Sequence, residues 1–326
     1  MKRARTTAGN PLIWLIDMNI ETTSGSSMLY ANGRQQVEVT LTLETRAEFP
    51  LTDAQKKSLR IVVEQSNGDY RPLPEQQLNN DWWYSETKDK YDYYPVAVDQ
   101  QPRIINKEQS SNQPKAFFQK VFYVLSTAIG GAAIKLRAQA SKSEDETYQS
   151  IAPLDHSVIL SAVRKPDFSA PADYTFTRRL VSGSEALGKF AYEYQLHPTY
   201  LFFQSAILYP LGMIQWDDKD PAETRASNVG CASPSQSEFN YNEDIVIGAA
   251  FEAERLQFVT YQSPGRLTIV LQGGINIPYH SASANTCNGP CRLAGIDMNG
   301  NDHSIGISFT GVSGFEARTN LELIDI

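Results

Sequence analysis

The sequence predicts an all-β protein, and three observations carry that expectation. Apolar and polar residues alternate with a period of two in one stretch after another. Asn-Gly and Gly-Gly pairs fall between those stretches, where tight hairpins need positive φ. No helical periodicity runs for more than about two turns.

Taken in order, the first clear strand is "QVEVTLTLETR" (36–46). It sets Val37, Val39, Leu41 and Leu43 against Glu38, Thr40, Thr42 and Glu44, as a sheet with one wet face requires. A short helix is expected in "LTDAQKKSL" (51–59), with Thr52 or Asp53 as N-cap. Strands follow at "LRIVVEQS" (59–66), "FFQKVFYVLST" (117–127), "AAIKLRAQAS" (132–141) and "SVILSAVRK" (157–165). The second half continues with "YTFTRRLVS" (174–182), "KFAYEYQLH" (189–197), "DIVIGAAFE" (244–252), "LQFVTYQS" (256–263), "RLTIVLQG" (266–273), "SIGISFTG" (304–311) and "TNLELIDI" (319–326). The Pro- and Ser-containing "RKPDFSAPAD" (164–173) separates two groups of strands. Two antiparallel β-sandwich domains are therefore expected, 1–165 and 166–326. The strand count makes the first immunoglobulin-like and the second sandwich- or jelly-roll-like. Two long polar segments, 67–114 and 216–243, read as irregular loops.

Composition narrows the function classes. The chain has 326 residues with 29 Lys and Arg against 37 Asp and Glu, a net charge of −8. A broad nucleic-acid surface needs a basic stripe, so no nucleic-acid partner is expected. The apolar run Leu12–Ile16 is shorter than the roughly 7–15 residues of a secretory core, so synthesis in the cytoplasm without a Sec signal is expected. Release by lysis or a dedicated apparatus would fit a microbial, viral or phage-like component. The longest apolar stretch, "YLFFQSAILYPLGMIQW" (200–216), is interrupted and falls short of the ~20 residues of a membrane helix.

The most chemical-looking stretch is "ANTCNGPCRLAG" (284–295), with two of the three cysteines. Cys287, Cys291, His280 and His303 have the spacing His-x6-Cys-x3-Cys-x11-His, which matches no zinc-finger pattern. Free thiols in a turn are the expectation, with a local Cys287–Cys291 bridge and a zinc set as alternatives. "GSEALGKF" (183–190) departs from a phosphate-binding loop at Phe190 and reads as a hairpin. "DMNGNDHS" (297–304) resembles the start of a calcium loop but has Asp302 where glycine belongs, and reads as an Asn-Gly hairpin, with weak calcium binding the alternative. No cofactor is expected.

The segment "DWWYSETKDKYDYYP" (81–95) supplies the best recognition surface: Trp82, Trp83, Tyr84, Tyr91, Tyr93 and Tyr94 on a polar loop. The competing reading has these rings packed into the sandwich. Residues 117–141 could form a soluble hairpin or a membrane-inserting one. No catalytic motif is present. The sequence thus points to a non-catalytic binding or assembly protein whose partner is a protein or a second copy. The alternatives are a lectin-like or receptor-binding module contacting a glycan through 82–94, and a β-hairpin pore-forming toxin subunit.

Overall fold

The computed structural model describes residues 10–65, 67–95, 116–311 and 313–326. The basic N-terminus and residues 96–114 of the first long loop lie outside the described residues. The protein is mostly β, with several antiparallel sheets. The chain divides into two compact units, Met1–Lys165 and Pro166–Ile326.

The first unit holds two sheets. β1 (Leu15–Thr22), β3 (Val37–Thr45), β7 (Ala116–Ser126) and β6 (Trp82–Ser85) form one in the order β1-β3-β7-β6, all antiparallel. The other has the order β2-β10-β8-β4-β5, from Met28–Tyr30, Val158–Val163, Ala133–Ser141, Arg60–Glu64 and Tyr70–Pro72. A short β9 (Thr147–Gln149) pairs with β8, and β10 meets β2 in parallel. Val37, Val39, Leu41 and Leu43 are buried, as their alternation requires, in a cluster that also takes Leu29, Ile61, Leu136 and Leu160 from the second sheet. The helix α1 (Asp53–Ser58) starts at Thr52 with a capping box: Thr52 and Gln55 each accept the other's backbone N–H through their side chains.

One expectation fails here. Residues 117–141 do not form a hairpin, because β7 and β8 belong to different sheets. Phe122 and Val124 of β7 and Leu136 and Ala138 of β8 all enter the same buried cluster. The connection 127–132 carries the chain from one sheet to the other, so the hairpin assumed for pore formation is not an element of this fold.

In the second unit the larger sheet has the order β11-β12-β17-β15-β14, from Tyr174–Ser184, Lys189–Pro198, Leu267–Gly274, Ala226–Ala232 and Ile214–Trp216, with β16 (Asn240–Tyr241) beside β15. The smaller runs β13-β18-β19-β20, from Phe203–Tyr209, Cys291–Asp297, Asp302–Phe309 and Leu321–Ile324. One cluster draws Leu196, Val229, Ile269 and Leu271 from the larger sheet and Leu208, Leu293, Ile305 and Ile307 from the smaller. The larger sheet is covered on its other face too: Trp216 and Ala226 meet Ile245, Ile247, Phe251 and Ile277. Every residue of β15 and β17 is consequently buried.

That second covering layer explains three misreadings. β15 lies inside a segment expected to be irregular; a strand buried on both faces shows no alternation to find. Residues 244–252 are not a strand: Gly248 turns the chain at φ +76° into the short helix α2 (Ala249–Glu252). Residues 256–263 are not a strand either, apart from one isolated bridge between Glu238 and Phe258. Beyond the two backbone bonds of that bridge, to Gln257 and from Val259, their backbone is satisfied by side chains of the sheet beneath. Gln272 accepts from Leu256 N–H and donates to the Glu254 carbonyl, Glu193 accepts from Thr260 N–H, and Gln195 donates to the Tyr261 carbonyl.

Candidate functional site

The aromatic segment 82–94 is largely turned inward. Trp83 and Tyr91 are buried, and Trp82 and Tyr84 pack against the core, Tyr84 edge-on to Phe122 at 5.0 Å. Tyr93 donates to Glu38 Oε2 at 2.6 Å, and burial and that carboxylate together hold its phenol protonated well above the usual range. Tyr94 stacks at a tilt on Tyr30, centroids 5.0 Å apart. The loop is stitched down by Gln35, which donates to the Asp92 carbonyl, and by Gln36, which bonds Thr87 and Asp89. What stays open is a depression of about 270 Å³ bordered by Glu75, Trp83, Lys88 and Asp89.

Nor does the structure gather the proposed zinc set. Among the described residues no three His, Cys, Asp or Glu side chains group to hold a metal ion. His303 sits in the core with both ring nitrogens engaged: Nδ1 lies 2.9 Å from Tyr174 Oη and Nε2 3.3 Å from Asp297 Oδ2. His280 caps the helix α3 (Ser281–Thr286), where its Nδ1 accepts from Ser283 N–H at 3.2 Å. Cys231, Cys287 and Cys291 are free and buried. Cys287 ends α3 and packs with Ile214 and Trp216, whereas Cys291 opens β18 and packs with Met213 and Leu293. Burial pushes the Cys231 thiol to about 11 and the Cys291 thiol to about 12, so neither is a thiolate at neutral pH, the form a metal or a redox partner needs.

The calcium-like stretch is the hairpin between β18 and β19. Asp297 is fully buried and organises the turn, accepting the backbone N–H groups of Asn299 and Asn301 on one oxygen and the Asn301 amide on the other. The phosphate-loop look-alike is also a hairpin, with a 3-10 turn at Glu185–Leu187 between β11 and β12.

The open chemistry lies on the outer side of "CNGPC". Asn288 and Gly289 border a cleft of about 420 Å³ whose walls include Trp216 and Tyr279. Trp216 is fixed by its indole N–H, which donates to the Ile277 carbonyl at 3.1 Å, and Tyr279 meets it edge-on at 5.4 Å. Lys219, Tyr279, Asn288, Ser308, Thr310 and Glu322 all line the cleft, and none makes a side-chain hydrogen bond or ion pair among the described residues. Donors and acceptors therefore stand unengaged beside two aromatic rings. Behind them, Asp217, within the segment expected to be an irregular loop, pairs with the buried Arg318 and with Arg225, and so anchors the strand end that presents Asp218 and Lys219.

Sequence reasoning missed this cleft because its residues come from five separate stretches between 214 and 322. Only the Trp216-Asp-Asp-Lys run carried a local signal, an aromatic followed by charges. No family model matches the chain, and no curated protein matches it. Among the described residues, no helix is long and apolar enough to cross a membrane.

Proposed function

We propose that the protein is a non-catalytic binding protein of two β-sandwich domains, immunoglobulin-like in the first unit and sandwich- or jelly-roll-like in the second. The cleft beside Trp216 takes a hydroxyl-rich ligand of the saccharide class. The sandwich reading is supported by the single cluster in each unit that draws side chains from both of its sheets. The binding reading is carried by the cleft itself. Small-ligand sites are preformed concavities in which a few polar groups sit against apolar walls, and a saccharide matches mixed donors and acceptors beside aromatic edges. A non-catalytic role is supported at the one cluster that looked chemical in the sequence: His303, His280 and the three thiols serve packing and capping.

A glycan array at high protein concentration tests the proposal. Binding to a defined saccharide, weakened by Asn288→Ala and by Glu322→Gln, is the expected result. A blank array, or binding indifferent to both substitutions, would refute it.

Self-assembly is a second reading, favoured by one observation. Ile207 and Tyr209 are exposed on β13, an edge strand, with Tyr200 and Phe202 exposed just before it. Native mass spectrometry checks this. An oligomer dispersed by Tyr209→Lys is expected, and a monomer at all concentrations would dismiss it.

A further inference from the structure

At one end of the larger sheet in the second unit, Ala232 of β15 pairs with Thr268 of β17. The chain leaves β15 through Ser233-Pro234-Ser235-Gln236 and enters β17 through Ser263-Pro264-Gly265-Arg266. Both are β-turns: Gln236 N–H donates to the Ser233 carbonyl at 3.0 Å and Arg266 N–H to the Ser263 carbonyl at 3.3 Å. Both hold the third residue at positive φ, +70° at Ser235 and +74° at Gly265. Proline second and positive φ third is the pattern of a type II turn. Glycine is required at 265, where a Cβ would stand 2.5 Å from that of Phe202. Serine at 235 takes the same conformation at a cost, and such strain gathers at binding sites.

Between the two turns lies a cavity of about 370 Å³, and no carboxylate lines it. Arg266 lines it; its Nε is buried away from the cavity without a hydrogen-bond partner. Its guanidinium makes no ion pair among the described residues, in a chain with more acids than bases. The neighbouring groups are left as donors. Gln236 Oε1 already accepts from Ser233 N–H and Asn240 Nδ2, so its Nε2 is what remains to be offered. Thr268 Oγ1 accepts from Gln195 Nε2 at 3.0 Å, which leaves its hydroxyl hydrogen to donate. The hydroxyls of Ser233, Ser235 and Ser263 have no partner among the described residues.

We infer that this cavity binds the carboxylate of a small polyhydroxylated acid, of the uronic-acid class. A guanidinium presents two parallel N–H groups that match a carboxylate, and such charge-assisted pairs are roughly twice as strong as neutral ones. The Nη groups of Arg266 make no hydrogen bond or ion pair among the described residues, so a carboxylate that meets them gains contacts that nothing else there supplies. The volume exceeds what a bare carboxylate fills, and the serine hydroxyls around the remainder suit a ligand that carries hydroxyls of its own. This site shares no residue with the Trp216 cleft, so failure of either proposal leaves the other standing.

The test is calorimetric titration of the full chain with glucuronate, glucose, acetate and sulfate, alongside the Arg266→Met variant. Glucuronate should bind with a component that depends on Arg266, acetate more weakly at the same site, and glucose without that component, any glucose held in the Trp216 cleft being indifferent to Arg266→Met. Arg266→Met should lower glucuronate affinity by about tenfold or more. Its urea midpoint should be unchanged or higher, since the group removed has no partner to lose. The proposal is overturned if glucuronate does not bind, if the variant keeps its affinity, if glucose binding falls as much as glucuronate binding in Arg266→Met, or if sulfate binds more tightly than glucuronate.

Discussion

Removing the charge of Asp217 should unfold the second unit far more readily than its place near the surface suggests. Arg318 is fully buried, with its Nε paired to Asp217, its Nη1 3.1 Å from Ser227 Oγ, and its Nη2 without a partner. Phe190 and Phe315 flank the guanidinium at 5.8 and 5.1 Å. Asp217→Asn strands that cation in a site walled by aromatic rings. Arg225, 3.2 Å from Asp217, is a second cation and cannot compensate. Breaking a buried pair from one side costs about 3–5 kcal/mol. At about 2–4 °C per kcal/mol for a unit of this size, the melting temperature should fall by about 6–20 °C. Replacing both partners, Asp217→Leu with Arg318→Met, should recover most of the loss, because a well-packed apolar pair is about as stable as the ion pair. Calorimetry with urea titrations of the wild type, Asp217→Leu, Arg318→Met and the double variant closes the cycle, with Asp217→Asn measured beside them. Trp216 is the one tryptophan in this unit and reports on it by fluorescence. A loss below about 1 kcal/mol in Asp217→Asn, or a double variant as unstable as the summed singles, would refute the reasoning.

Three further outcomes are expected. The thiols of Cys231 and Cys291 are raised by burial to about 11 and about 12, so the unfolded chain ionises them first. Stability should therefore fall as pH climbs above about 9, by about 1.4 kcal/mol per pH unit per thiol, and the joint alanine variant should flatten urea midpoints measured between pH 9 and 10. Glu223 is held down to about 2, chiefly by its hydrogen bonds from Arg225. The stability it contributes is complete above the ordinary glutamate range and is lost as pH falls towards 2, so Glu223→Gln should show a shallower acid limb in the same assay. Gly230→Ala would set a Cβ 2.4 Å from the Tyr241 ring, which is tied by its hydroxyl to the Leu256 carbonyl at 2.7 Å. A loss of about 1–3 kcal/mol by denaturant titration is expected, and an unchanged midpoint would show that the ring moves freely.

The strands that could be read were those with one polar face. Val37 to Leu43 and Ile305 to Phe309 alternate because water touches one side of each, and Phe190 to Leu196 alternate because Glu193 and Gln195, though buried, bond the backbone of Thr260 and Tyr261. β15 could not be read, because Ser227 and Asn228 sit as deep as Val229 once a second layer covers the sheet. The candidate site divides the same way. Aromatics at 82–94 are conspicuous in the sequence, but Trp83 and Tyr91 are buried. Arg266 is unremarkable in the sequence and distinctive only for the partner it lacks.

Local sequence was enough to specify the all-β class, the capped helix at 53–58 and the hairpin turn at Asn299-Gly300. These depend on residues close along the chain: a capping box spans four positions and a turn two. Packing between distant segments set the rest: β7 and β8 part into different sheets, 239–262 covers a face otherwise open to water, and Asn288 stands near Trp216 while Cys287 turns inward. A period of two records which face of a strand is apolar. It carries no information about which neighbour that face will meet, and both the cleft and the arginine cavity are made of such meetings.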